Sequence, residues 1–423
     1  MTDLALGIDL GTSGVRSAVI DPAGQVVAMA RGSYGESAED RRTPALWWAA
    51  VSDCLDRQAE ALREAGRSMR EVSRLGVDGT SGSLLLADRD LVPVTRALMY
   101  DDGGFVDEAG RIAAVAPDPH ITRGSGSALA RALRLVDEDA DGRARHLLHQ
   151  ADFIAARFLG YGGFADVNNA LKTGCDPAGG DWPDWVASLL PDGILPKLLP
   201  PGAAIGQMSA EVAQRFGLSQ HAVVHAGTTD SIAAFLASAP ATQGAAVTSL
   251  GTTLAVKLFS ETRIDAPECG LYAHRIGAGW LVGGASNTGG GVLRSFFSGA
   301  EIEALSRQID PMEESKLDYY PLLKPGERFP INDPALPPRM SPRPADDATF
   351  LYGLLEGIAR VERLAYETLH QQGAPYPETI VTAGGGALND VWLAIRTRVL
   401  GVPVKKAQKT EAAIGTARLV QLG

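Results

Sequence analysis

"LGIDLGTSGVRSAVID", residues Leu6–Asp21, decides how this chain folds. An apolar run carries one acid, Asp9, and breaks at Gly11-Thr12-Ser13-Gly14 before a second apolar run, Val15–Ile20. Two such runs around a short glycine-containing break predict a hairpin. A P-loop or a dinucleotide fingerprint would pass from a strand through its glycines into a helix. Here "VRSAVI" continues as a strand, which excludes both. "DPAG" (Asp21–Gly24) adds a turn and Val26–Ala30 a third strand, so the chain opens as an antiparallel meander. The Gly11-Thr12-Ser13 turn is either a plain turn or, through its backbone N–H groups and hydroxyls, a cradle for an anion.

The pattern recurs in the second half. "AAVTSLGTTLAVKLF" (Ala245–Phe259) is again strand, Gly-Thr turn, strand, with Gly251, Thr252 and Thr253 in the place of Gly11, Thr12 and Ser13. The repeat predicts two domains of like topology, 1–238 and 239–423, whose loops grip one polyphosphate from opposite sides. Asp9 is then suited to Mg²⁺ through water, because Mg²⁺ takes oxygen ligands and keeps several waters. A carboxylate in an apolar strand needs some such partner.

The 423 residues suit two domains rather than one core. A net charge of −11 argues against nucleic acid or an anionic membrane as the main partner. Cys54, Cys175 and Cys269 are scattered and odd in number, which suits a reducing cytoplasm and no disulfide framework. The sequence carries no signal-peptide pattern and no bilayer-length apolar run, so a cytoplasmic location is expected.

Helical spacing marks Ala45–Ala65 (Leu46, Trp47, Ala50, Val51, Cys54, Leu55, Leu62) and Phe350–Gln371, and Asp152–Leu159 reads as a short helix. "RLGVDGTSGSLLLAD" reads as strand, Gly-rich turn, strand, and Pro311–Pro344 as a long surface excursion in the second domain. In "HAGTTDSIAAFLA" (His225–Ala237) a strand runs into a helix near Ser231. Asp230 is there an N-cap or, beside a phosphate cradle, the carboxylate that accepts a hydroxyl proton during phosphoryl transfer. "TIVTAGGGALND" (Thr379–Asp390) places three glycines between strand and helix, either a tight packing turn or a wall for a flat ligand such as adenosine. "GGASNTGGG" (Gly283–Gly291) is a similar loop that lines the same cleft in the second reading. "DGTSGS" (Asp78–Ser83) and "MYDDGG" (Met99–Gly104) cluster carboxylates and hydroxyls that suit a polyhydroxylated ligand; solvated turns are the other reading, strongest for Asp102.

Taken in order, these motifs resemble the FGGY carbohydrate kinases of the actin-like ATPase superfamily. "GIDLGTSGVRSAVID" is similar to the family's first phosphate motif, "HAGTTDSIAAF" to its catalytic-base segment, and "SLGTT" to its second phosphate motif. "TAGGGALND" is similar to the adenosine motif and "EAAIGTARLV" to the terminal helix. The resemblance implies an α/β protein of two ribonuclease-H-like (actin-like ATPase) domains with an interdomain catalytic cleft. It implies ATP and Mg²⁺, and transfer of the γ-phosphate to a terminal sugar hydroxyl. It assigns Asp230 as catalytic base and Asp9 to the metal. Gly11, Thr12, Ser13 and Gly251, Thr252, Thr253 go to the phosphates. Gly384, Gly385, Gly386, Ala387 and Asn389 go to adenosine, and Asp78, Thr80, Ser81 and Asp101, with Asp230, to the sugar.

Departures from the family pattern bear on the sugar. "DGTSGS" stands where many xylulose kinases carry a Gln-Met-His-Gly segment, and no arginine closely follows "MYDDGG". Both segments are most similar to the small D-ribulose kinases, which implies D-ribulose first and D-xylulose second. A small sugar is the expected partner, with a homodimer left open. Filament and chaperone ATPases share the scaffold and are the non-kinase alternative.

Overall fold

The opening meander forms as the pattern requires. β1 (Leu4–Gly11), β2 (Gly14–Ile20) and β3 (Val26–Gly32) pair antiparallel, with Asp9 opposite Arg16 and Gly11 opposite Gly14. The computed structural model describes residues 3–35 and 40–423. It divides into two units, Met1–Ala237 with Glu411–Gly423, and Ser238–Thr410.

In the first unit β4 (Val72–Gly79), β5 (Ala204–Gln207) and β6 (Val223–Thr229) complete a six-stranded sheet of order β3-β2-β1-β4-β6-β5. β1, β4 and β6 run parallel. Leu4, Leu6, Ile8 and Leu10 on β1 are fully buried, as a strand covered on both faces requires. Helix α1 (Pro44–Glu64) buries Trp47, Val51, Cys54, Leu55 and Leu62, the face its periodicity marks. The strand expected to follow "GTSG" does exist, at Leu84–Ala87, but it leaves the sheet and pairs with His146–His149. Both edges of β4 are already taken by β1 and β6, so no place remains for a returning partner. Helix α2 (Gln150–Leu159) follows His149, and helix α3 (Asp230–Ser238) follows β6.

The second unit repeats the plan. Its strands are β7 (Ala246–Leu250), β8 (Leu254–Ser260), β9 (Tyr272–Ile276), β10 (Gly279–Ser286), β11 (Ile380–Ala383) and β12 (Val404–Lys406). They form a sheet of order β9-β10-β8-β7-β11-β12, again an antiparallel hairpin flanked by parallel strands. Helices α4 (Asp347–Gln371) and α5 (Asp390–Leu400) pack with it. The proline-rich stretch is not a surface excursion. Tyr319, Leu322 and Phe329 are buried, and the Glu327 carboxylate accepts from Ser286 Oγ (2.5 Å) and Asn287 N (2.7 Å). Prolines suppress periodicity without preventing burial, so the pattern carried no signal.

The terminal helix α6 (Ala412–Leu422) corrects the expected division, because it packs in the first unit. Ala413, Ile414, Ala417 and Val420 join Ala5, Ala18, Ile20 and Ala237 in one apolar cluster. A Cβ on Gly415 would stand 1.7 Å from Ala233 O, so α6 and α3 approach at a distance only glycine permits. Among the described residues no helix is long and apolar enough to cross a membrane.

Candidate active site

In the first unit Asp9, Asp78 and Asp230 gather at the C-terminal ends of parallel strands, where α/β sheets bind ligands. The β1–β4 register sets Asp9 beside Asp78, and the β4–β6 register sets Thr228 on the other side of Asp78. Asp230 opens α3 two residues beyond Thr228 and is half-buried; its Oδ1 accepts from Ser231 N at 2.6 Å. Its charge is close enough to raise the Asp78 pKa.

Asp9 is 4% exposed and faces Arg16, whose Nη1 lies 3.3 Å from Oδ2. Burial raises its pKa, and hydrogen bonding from Asp78 and the Arg16 charge oppose that rise. Arg16 Nη2 also donates to Ser13 Oγ at 3.3 Å, while Nε faces Glu411 of the terminal segment at 3.3 Å. Thr12 and Ser13 are exposed at the hairpin tip. Arg16 was missed from the sequence, yet a signal existed. In a hairpin closed by Gly11 and Gly14, the residue opposite Asp9 is Arg16.

Asp78, expected on the sugar, lies inside the unit with its carboxyl turned to the terminal helix. It is fully buried, Thr416 Oγ1 donates to its Oδ2, and among the described residues its Oδ1 meets no donor. Burial, then the charge of Asp9, pushes its pKa well above the carboxylate range, and the retained proton serves a hydrogen bond to Asp9. Thr80, expected there too, has its hydroxyl engaged between Ser83 Oγ (2.6 Å) and Gln150 Oε1 (2.8 Å). Ser81 Oγ remains buried without a partner among the described residues. Asp101 is partly exposed and pairs with Arg41 at 3.1 Å. Asp102 is no solvated turn residue. It pairs with Arg42 at 2.6 Å and accepts from Met99 N at 2.7 Å. The cations that "MYDDGG" lacks nearby thus arrive from far upstream in the chain.

In the second unit the Gly251–Thr253 turn is tied to the "SNTGGG" loop. Gly290 N donates to Gly251 O and Gly291 N to Thr252 O, both at 2.9 Å, and Arg294 Nη2 reaches Thr252 Oγ1 at 2.9 Å. Beside it lies a cavity of about 500 Å³, with Gly385, Gly386 and Asn389 on its wall together with Gly290, Leu293 and Ile302. Asn389 caps α5 through Trp392 N (3.0 Å) and donates to Ser306 Oγ (2.8 Å). Gly384 and Ala387 do not line it. Ala387 is buried. Gly384 has φ +88°, and a Cβ added there would stand 2.6 Å from Leu250 O, so this glycine serves the turn. Sequence reasoning also missed Arg294 and Arg307 on this wall, which come from helical segments without a motif.

The cavity's size and its mix of apolar wall and cations fit a nucleotide. Among the described residues no three His, Cys, Asp or Glu side chains gather as a metal cage. Mg²⁺ at phosphate sites is held by one or two carboxylates and waters, and Asp9 fits that mode.

Residues 246–420 match the C-terminal domain model of the FGGY family of carbohydrate kinases. Over these residues the chain is similar to that carbohydrate-kinase domain, and relatives that span nearly all of it are sugar kinases. It is 25% identical to xylulose kinase of Escherichia coli (strain K12), over 99% of this chain and 89% of the relative. It is 26% identical to xylulose kinase of Klebsiella pneumoniae, over 99% and 89%. The crystal structure of xylulose kinase from Rhodospirillum rubrum superposes with a TM-score of 0.83 at 24% identity, covering 99% of this chain and 90% of that one. The carbohydrate-kinase domain match and the xylulose kinase relatives indicate a phosphotransferase, and the two sheet-containing units have the actin-like ATPase fold. FGGY kinases use ATP, which the second unit's cavity suits.

Proposed function

We propose that this kinase transfers the γ-phosphoryl group of ATP to the terminal hydroxyl of D-ribulose, giving D-ribulose 5-phosphate and ADP. The setting of Asp230 supports this reading: a half-buried carboxylate at the end of a parallel strand, next to the Asp9–Asp78 pair. Asp230 accepts the hydroxyl proton as that oxygen bonds to the γ-phosphorus and the bond to the bridging oxygen of ADP breaks. In the first unit Thr12, Ser13 and Arg16 hold phosphate oxygens; in the second, the Gly251–Thr253 turn offers backbone N–H groups and hydroxyls suited to the same chemistry. Asp9 would hold Mg²⁺, which would supply charge neutralisation on the phosphates. Gly385, Gly386 and Asn389 contact the nucleoside, and Ser81 and Asp101 contact the sugar.

The test is ADP release with D-ribulose and with D-xylulose, for wild type and Asp230→Asn. The variant should lose about 10²–10⁴-fold in kcat with ADP affinity nearly unchanged. Near-normal turnover in the variant removes Asp230 from the mechanism. D-xylulose is the second reading, favoured by the xylulose kinases among the relatives. A higher kcat/KM for D-xylulose would select it.

A further inference from the structure

Gln150, the first residue of α2, is fully buried against the "DGTSGS" loop. Its backbone N–H donates to Ser83 O at 2.9 Å. Its Oε1 accepts twice, from Thr80 N at 3.0 Å and from Thr80 Oγ1 at 2.8 Å. The chain of donors has one direction. Tyr100 N–H donates to Ser83 Oγ at 2.9 Å, and Ser83 and Thr80 hydroxyls meet at 2.6 Å. Thr80 therefore passes its only hydroxyl proton to Gln150. Turning the amide over would set its NH₂ against the Thr80 N–H, donor against donor, so the orientation is fixed by bonding.

The result is a buried –NH₂ group left over once Oε1 has braced the loop. Nε2 has no hydrogen-bond partner among the described residues, and neither does Oγ of Ser81, the residue that follows Thr80. Leaving such donors unpaired costs about 1–3 kcal/mol each. Both groups are neutral. Together they suit the hydroxyl or carbonyl oxygen atoms of a ketose and give no charge to attract a phosphate or a cation.

We propose that Gln150 binds the sugar, its Nε2 donating to a ketose oxygen beside Ser81, in the place that Thr80 cannot fill. The proposal rests on the sugar-kinase reading above and adds a residue that reads sugar configuration. A site built around one hydrogen bond discriminates strongly against a sugar whose oxygen is elsewhere.

Gln150→Glu tests it with almost no change of shape. The carboxylate still accepts from Thr80 but has no N–H to offer. Gln150→Met, which buries no charge, serves as a second variant should the first fold poorly. Steady-state kinetics are run with the pentulose that wild type turns over faster, varying sugar and ATP separately, with Tm recorded for each variant. The expected result is a sugar KM raised about 10-fold or more, the loss of one well-made hydrogen bond, with the ATP KM near wild type. The preference between D-ribulose and D-xylulose should narrow as well. A sugar KM unchanged in a folded variant, or equal rises in both KM values, overturns the proposal and leaves Gln150 a brace or the partner of a bound water. Wild type without turnover of either pentulose refutes the substrate reading, and this proposal falls with it; the ratio of variant to wild type bears on Gln150 alone.

Discussion

Asp166 shows what burial does to one carboxyl. It is 1% exposed and caps the short helix Val167–Leu171, accepting from Asn168 N, Asn169 N and Asn169 Nδ2 at 2.9, 3.0 and 2.7 Å. Burial first, and then the charge of Asp152, push its pKa up to about 7, against 3.8 for a free side chain. Between those values the folded chain holds a proton that the unfolded chain has released. Stability from this group is therefore full below about pH 4 and is lost as pH rises toward 7. Asp166→Asn removes the titration. Urea unfolding from about pH 4.5 to 7.5 should show the wild-type free energy falling more steeply than the variant's, by at most about 1.4 kcal/mol per pH unit. Parallel curves would contradict the assignment. At this scale the places of Asp9 near the end of its strand and of Asp230 at the start of its helix were legible, because each follows an apolar strand pattern. Gln150, Arg41 and the burial of Asp78 were not. Each depends on a partner far away in the chain, at Thr80, Asp101 and Thr416, and no local pattern encodes such a meeting.

Elements were legible wherever one periodicity ran uninterrupted. α1 and the first hairpin follow from spacing alone, since each carries one uninterrupted apolar pattern. The strand Leu84–Ala87 was legible as a strand but not in its pairing, because vacancy at a sheet edge is a property of the whole sheet. Two glycines in helices of the first unit separate packing from propensity. Gly415 faces backbone atoms of α3, with Ala233 O at 1.7 Å from an added Cβ, whereas Gly110 in helix Val106–Ala113 meets nothing within 4 Å. Gly415→Ala should destabilise by about 1–3 kcal/mol or more, because two helix backbones must part. Gly110→Ala should stabilise by up to about 1 kcal/mol through helix propensity. Thermal unfolding of the two variants compares them directly, and equal shifts would mean that α6 does not rest on α3.

At the scale of the whole molecule, the repeated Gly-Thr hairpin predicted two units of like topology, and the two sheets agree over five strands about β1 and β7, with the sixth strand on opposite edges. The return of the chain's end to the first unit was not legible. The small-residue face of "EAAIGTARLVQLG" says that it packs closely, and it does not say against which sheet. In the structure that face covers β1 and β4, Thr416 binds Asp78, and Glu411 lies 3.3 Å from Arg16 and 2.8 Å from Arg31. The terminal segment thus supports the first Gly-Thr hairpin and the strands that carry it. A chain ending at Thr410 should lose amide-exchange protection in β1 and β4 while α4 keeps its own, since the helix is removed from one unit only. It should also lose sugar-dependent ADP release, because Asp78 loses the hydroxyl that holds it and Arg16 loses a carboxylate that orients it toward Asp9. Protection lost in α4 instead would return the helix to the second unit, where its place in the sequence alone would put it.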